Sequence, residues 1–281
     1  MARTIAVACL LLAALAFLPA GSSDICRKEK GCTFWDSNYH EYILYEVDTP
    51  HVDVLVVPPA SPFATRDIAT VGLAVEQWRT GIAQLADPWF ASGFSIDAYT
   101  LGVDVPPPEA LADPEIVVLT AEYNPVLLFG IGEQTPIGVC VADAATWHQH
   151  EGSPWATAMA QCGTGGMTCL AINTNFLLGG ERQMHDLVAH EFGHCLGIGH
   201  VGDALDFDAK TVPLNDIMSY QYNPSHVHCV STLNVKSLQG VYADLLGQPG
   251  QLLPGDYYTM SPSAYSQATC SNPDPNLLGI L

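Results

Sequence analysis

Between residues 67 and 86, apolar side chains recur at alternating intervals of three and four: Ile68, Val71, Val75, Trp78, Ile82 and Leu85. That period lines up one face of an α-helix, so the pattern predicts an amphipathic helix with one buried stripe. Thr65 and Asp67 offer an N-terminal cap and a first-turn acid, and Asp87-Pro88 closes the segment. Residues 52 to 58 (VDVLVVP), 115 to 121 (EIVVLTA), 138 to 143 (GVCVAD) and 169 to 175 (CLAINTN) are short, rich in β-branched residues and bounded by Pro- or Gly-containing loops, the mark of strands. A second helix is expected from near Glu181 to Gly197. Residues 24 to 50 have few periodic apolar positions and read as a short leader. From 248 to 281 the chain is turn-rich and unperiodic, an irregular tail.

The two ends of the chain change this picture. Residues 5 to 18 are apolar but too few to cross a bilayer comfortably, and Ala20, Gly21, Ser22 and Ser23 follow. Residues 1 to 23 therefore read as a secretory signal peptide, which makes the protein secreted and leaves the mature form without a membrane anchor. Nine Lys plus Arg against 29 Asp plus Glu give a net charge of −20. Such a chain repels phosphate backbones, so nucleic acid is not expected as a partner. Export also bears on the nine cysteines. Cys9 leaves with the signal, and Cys26, Cys32, Cys140, Cys162, Cys169, Cys195, Cys229 and Cys270 form an even set suited to disulfides. Cys26 with Cys32 and Cys162 with Cys169 are natural local loops, and the remaining connectivity is open.

The second helix carries the chemistry, in HEFGHCLGIGH. His190 and His194 are four residues apart, hence about 40° apart around a helix axis and one turn along it. Their imidazoles point into one space and suit two corners of a tetrahedral zinc site. Glu191 lies beside them without ligand duty, placed to act as general base and then general acid toward a metal-activated water. Val188, Phe192, Cys195 and Leu196 fall on the opposite face, which is expected to pack into the core. Cys195 projects about 140° away from His190, so a disulfide or buried thiol is expected there, not a ligand. Gly197 allows the sharp turn that ends the helix and lets His200 return as third ligand, leaving a fourth position open as in catalytic zinc sites.

His190, Glu191, His194, Gly197 and His200 together resemble the signature of the metzincin zinc proteases. Met218 in DIMSY, eighteen residues after His200, resembles the methionine turn of that family, an apolar floor beneath the metal. Tyr220 is similar to the tyrosine with which astacin-, serralysin- and pappalysin-like relatives assist the oxyanion. Trp78, the strand ending in INTN and residues 231 to 242 resemble matrixin-like proteases instead, while Val201 matches none of the usual subfamily residues. The resemblance covers residues 51 to 247 as catalytic domain. It implies an α+β fold: a twisted mixed sheet, an active-site helix and a smaller C-terminal subdomain. It also implies one catalytic Zn2+ and a protein or peptide substrate lying along an edge strand. The activity expected is zinc-dependent endopeptidase; the alternative is an exported zinc-containing binding or adhesion module without turnover.

Other polar groups fit weaker patterns. His148 with His150, and His226 with His228, have a spacing that clamps metals on extended segments, but no carboxylate completes a site and polar loops are the expectation. Asp203, Asp206, Asp208 and Asp216 raise the alternative of Ca2+, although the spacing is not that of an EF-hand and a solvated acidic loop is the simpler reading. A latency thiolate from Cys26 or Cys32 is the lesser alternative to their local disulfide.

Overall fold

The computed structural model describes residues 25–27, 38–57, 64–112, 114–121, 138–141, 168–173, 180–202, 213, 215–219 and 226–270. It is a mixed assembly of two small sheets with helices packed against them. The chain runs β1 (Ile25–Arg27), β2 (Tyr39–Ile43), β3 (His51–Val57), α1 (Ala64–Leu85), α2 (Pro88–Gly93), β4 (Ser95–Thr100), α3 (Pro108–Ala112), β5 (Ile116–Ala121), β6 (Gly138–Val141) and β7 (Thr168–Asn173). It continues through α4 (Gly180–Cys195), β8 (Ile198–Val201), α5 (Thr232–Val241), a 3-10 turn (Asp244–Leu246) and β9 (Asp256–Met260).

The larger sheet has the order β4-β3-β5-β7-β6. Its first four strands are parallel, and β6 joins β7 antiparallel at one edge, with Cys140 opposite Leu170. A parallel strand covered on both faces reads as a continuous apolar run, and Ile116, Val117 and Val118 of β5 are all buried. The stripe on α1 packs as its period demands: Val71, Val75, Trp78 and Ile82 enter the core, against Val188 and Phe192 from α4 and Leu233 and Leu238 from α5. Helix α5 starts with a reciprocal capping box. Ser231 Oγ accepts from the Asn234 N–H, and Asn234 Oδ1 accepts from the Ser231 N–H at 2.9 Å.

The smaller sheet, of order β1-β9-β2-β8, draws together what the sequence pattern separates. Residues 256 to 260 are not irregular: β9 pairs with both β1 and β2, and β2 in turn pairs with β8, Glu41 opposite Val201. Leader and tail thus form one sheet with the strand that follows the metal motif. The C-terminal helix α5 also shares the main apolar cluster, so residues 232 to 241 pack with the rest of the core. No helix among the described residues is long and apolar enough to cross a membrane. The signal-peptide segment lies outside the described residues.

Candidate metal centre

Helix α4 places His190 and His194 one turn apart and ends at Cys195. The chain then reverses at Gly197, where φ is +99°, a conformation that favours glycine. A side chain there would also crowd the Tyr45 carbonyl oxygen, 3.1 Å from the Cβ position. The turn is held by Gly197 N–H donating to His194 O at 3.0 Å, and it delivers His200 on β8. The result is a close group: His190 Nε2 and His194 Nε2 lie 3.1 and 3.2 Å from His200 Nε2.

Backbone carbonyls fix the orientation of two of these rings. His190 Nδ1 donates to Ile217 O at 2.7 Å, and His194 Nδ1 donates to Ile198 O at 2.9 Å. A neutral imidazole with Nδ1 protonated presents a bare lone pair at Nε2, so the rings aim lone pairs at one point. Burial pushes His190 down to about 4 and His200 down to about 3, and burial together with His190 and His200 holds His194 well below the ordinary imidazole range. All three rings are thus neutral at pH 7, the form that binds metal. Two lone pairs fixed toward one point, with the His200 Nε2 atom 3.1 and 3.2 Å away, make a donor set that a cation would complete. Nitrogens bound tetrahedrally at 2.0–2.1 Å lie about 3.3 Å apart, close to the spacing here. Among the described residues this is the one cluster of three or more His, Cys, Asp or Glu side chains arranged to hold a metal ion.

Glu191 is buried beside the ligands, 8% exposed. Burial raises its carboxyl to about 8 despite a hydrogen bond from the Cys140 backbone N–H on β6. Met218 is fully buried, and its sulfur packs at Gly193, the residue before His194. A Cβ at Gly193 would overlap Met218 Sδ and the Trp78 ring, so only glycine lets α4 approach both. Trp78 Nε1 donates to Ala189 O at 2.7 Å, tying α1 to the turn of α4 that carries His190.

Asp216, weighed in the sequence as a calcium-loop acid, occupies a different environment. It is fully buried and accepts hydrogen bonds from the Met218 N–H at 2.8 Å, Ser231 Oγ at 2.6 Å, Asn234 Nδ2 at 3.0 Å and Tyr265 Oη at 3.1 Å. Asn234 Nδ2 also donates to Glu41 Oε1 at 2.6 Å. Burial, joined by the charge of Asp216, raises Glu41 well above the usual carboxylate range, and burial raises Asp216 as well. Ser237 favours the charged form of Glu41 without making a hydrogen bond to it. Glu41 Oε2 and Ser237 Oγ are therefore buried without a hydrogen-bond partner among the described residues. This network fixes the turn whose Ile217 carbonyl orients His190. Its partners are far apart in sequence; the one local signal is Ser231 followed three positions later by Asn234, ahead of an apolar run.

The remaining sequence expectations divide cleanly. Cys195 is disulfide-bonded to Cys140, and Cys229 to Cys270. His228 does not pair with His226 as a ligand; its Nδ1 bonds Asp186 at 3.2 Å. Tyr220, Asp203, Asp206, Asp208, His148, His150, Cys32 and Cys162 lie outside the described residues, as does the side chain of Cys26. A scan against models of known protein families finds no match to this chain, and a search of curated proteins likewise finds none.

Proposed function

We propose that this protein is an exported zinc-dependent endopeptidase of the metzincin type. The observation that carries the reading is the convergence of His190, His194 and His200 Nε2 atoms, two of them with Nδ1 locked by carbonyls, beside a buried Glu191 that ligates nothing. The three neutral nitrogens suit zinc, with a fourth position left open. When bound, the ion supplies a Lewis acid that polarises a scissile carbonyl and acidifies water.

The chain's own groups do the rest. Glu191, as carboxylate, takes a proton from the attacking water and returns it to the leaving amine; burial favours the protonated carboxyl that carries it between the two transfers. Ile217 and Ile198 carbonyls keep His190 and His194 in the ligating tautomer. The mixed sheet with its antiparallel edge strand β6, the helix α4 beside it and the Met218 turn support the metzincin likeness. Tyr220 as oxyanion donor rests on the resemblance alone.

The test is cleavage of casein or gelatin by the purified, zinc-loaded protein, with and without a chelator, beside Glu191→Ala. Activity lost on chelation and in a variant that still binds zinc is the expected result. Zinc bound by the wild type with no cleavage of either protein would overturn the protease reading in favour of a zinc-containing binding module.

A further inference from the structure

The turn from Asp216 to Ser219 is held peptide by peptide. The Asp216–Ile217 peptide bonds to backbone at both ends: Ile217 N–H donates to Cys229 O at 3.0 Å, and Asp216 O accepts from Ser219 N–H at 3.1 Å. In the Met218–Ser219 peptide, Met218 O likewise accepts from Val201 N–H on β8 at 2.8 Å. The peptide between them, Ile217–Met218, meets a side chain at each end instead. Its N–H donates to Asp216 Oδ1 at 2.8 Å, and its C=O accepts from His190 Nδ1 at 2.7 Å. This peptide is trans. A trans peptide unit is planar with N–H and C=O pointing in opposite directions, so whatever fixes the one aims the other. The acceptor is itself held in place. Met218 N–H and Asn234 Nδ2 reach Asp216 Oδ1, while Ser231 Oγ and Tyr265 Oη reach Oδ2. That is a full set of donors for an ionised carboxylate, on a side chain that is fully buried.

Resting on the metallopeptidase reading for the metal centre, we propose that Asp216 is a positioning residue for the ligand His190, acting through the Ile217–Met218 peptide. Carboxylate, amide, carbonyl and imidazole form one chain of hydrogen bonds that ends at the lone pair of Nε2. It does by way of a peptide what a carboxylate bonded directly to a ligating histidine does elsewhere. The relay serves one ligand and not the pair, because His194 is aimed by Ile198 O, which lies on β8 outside this turn. Loss of the Asp216 acceptor should therefore disturb His190 while His194 keeps its bond, a difference that a general loosening of the fold would erase.

The experiment compares the full mature chain as wild type, as Asp216→Ala and as Asp216→Asn, the last of which keeps an oxygen for the Met218 N–H. Zinc affinity is read by competition with a chromogenic chelator, and the Nδ1–H protons of His190 and His194 by NMR with and without zinc. In Asp216→Ala, zinc affinity is expected to fall about 10- to 100-fold, the usual cost of losing a group that orients a ligand. Its His190 Nδ1–H signal is expected to move upfield or vanish by exchange with water, while that of His194 stays. In Asp216→Asn, zinc affinity is expected to return to within about fivefold of wild type. The upfield move there should be smaller and confined to His190, because an amide oxygen accepts more weakly than a carboxylate. A folded Asp216→Ala with wild-type affinity, or with a His190 signal that is unmoved or moves together with that of His194, would overturn the proposal. If Asp216→Ala fails to fold, Asp216→Asn decides: a His190 signal at its wild-type position there shows that Asp216 does not aim the ring. Should wild-type protein bind no zinc, the metallopeptidase reading falls by itself, and the two signals recorded without metal still decide the relay.

Discussion

Helix α4 carries two groups of histidines of opposite character. In one, Asp186 Oδ1 lies 3.1 Å from His185 Nδ1 and Oδ2 lies 3.2 Å from His228 Nδ1, so a buried carboxylate is flanked by an imidazole on each oxygen. In the other, one turn further along, His190 and His194 meet His200 with no carboxylate between them. Burial alone would raise the Asp186 carboxyl, but hydrogen bonds and charge from His185 and His228 outweigh it and hold it below the ordinary value. The first group is complete as it stands. The second brings three neutral imidazoles together, His190 and His194 with lone pairs fixed toward the centre, and is a donor set that a cation would complete. Residue type does not separate the two; the sign of what each imidazole faces does.

The largest effect should come from breaking the unfinished group. His200→Ala is expected to weaken zinc binding by more than about a hundredfold, while Asp186→Ala leaves it within a few fold, both read by chelator competition. If Asp186→Ala releases the metal as readily as His200→Ala, the two groups are one site and the contrast collapses. Asp186→Ala should instead destabilise the protein by about 3–5 kcal/mol in urea unfolding, the usual result of removing one partner from a buried polar cluster. Next in size, Gly193→Ala forces a methyl group against Met218 and Trp78 and is expected to cost about 1–3 kcal/mol, measured in the same way.

Smaller and of opposite sign is Glu41→Gln, which keeps an oxygen for Asn234 and puts an amide, rather than an unpaired oxygen, near Ser237. A gain of about 1 kcal/mol at pH 8 is expected. The pH dependence sharpens this. Glu41 and Asp216 are raised in the folded state, so the stability they contribute is complete below about pH 4 and is lost as pH rises through their folded values. Asp186 is lowered, so its contribution is complete above about pH 4 and is lost only as pH falls below that. Thermal melts between pH 5 and 8 should show a shallower decline for Glu41→Gln than for wild type; equal slopes would rule out the buried pair as the cause.

Sequence pattern reached some of this and missed the rest for identifiable reasons. The α1 stripe from Val71 to Ile82 was legible because its period runs over several turns, and His190, His194 and His200 because helix geometry and one glycine fix their relation. The smaller sheet was not. Its strands are three to five residues long, and β2 pairs with β8 and β9 from segments more than 150 positions away, Glu41 facing Val201 and Tyr258. Strand β2 also reads YHEYI, whose polar His40 and Glu41 are both buried, the reverse of what polarity suggests. Asp216 looked like a surface acid because its donors Ser231, Asn234 and Tyr265 lie in segments with no visible link to it.

The indole of Trp78 gives the molecule an internal light source at the right place. It is fully buried, bonded to the Ala189 carbonyl and packed where Gly193 and Met218 meet. A tryptophan shielded from water emits at shorter wavelength than an exposed one, and a neighbouring thioether lends its emission sensitivity to ångström-scale shifts. Loading and stripping of a metal ion at His190, His194 and His200 would therefore be open to following from the other side of α4 without any added dye. Of the two tryptophans among the described residues, Trp78 and Trp89, it is Trp78 whose removal should diminish the response.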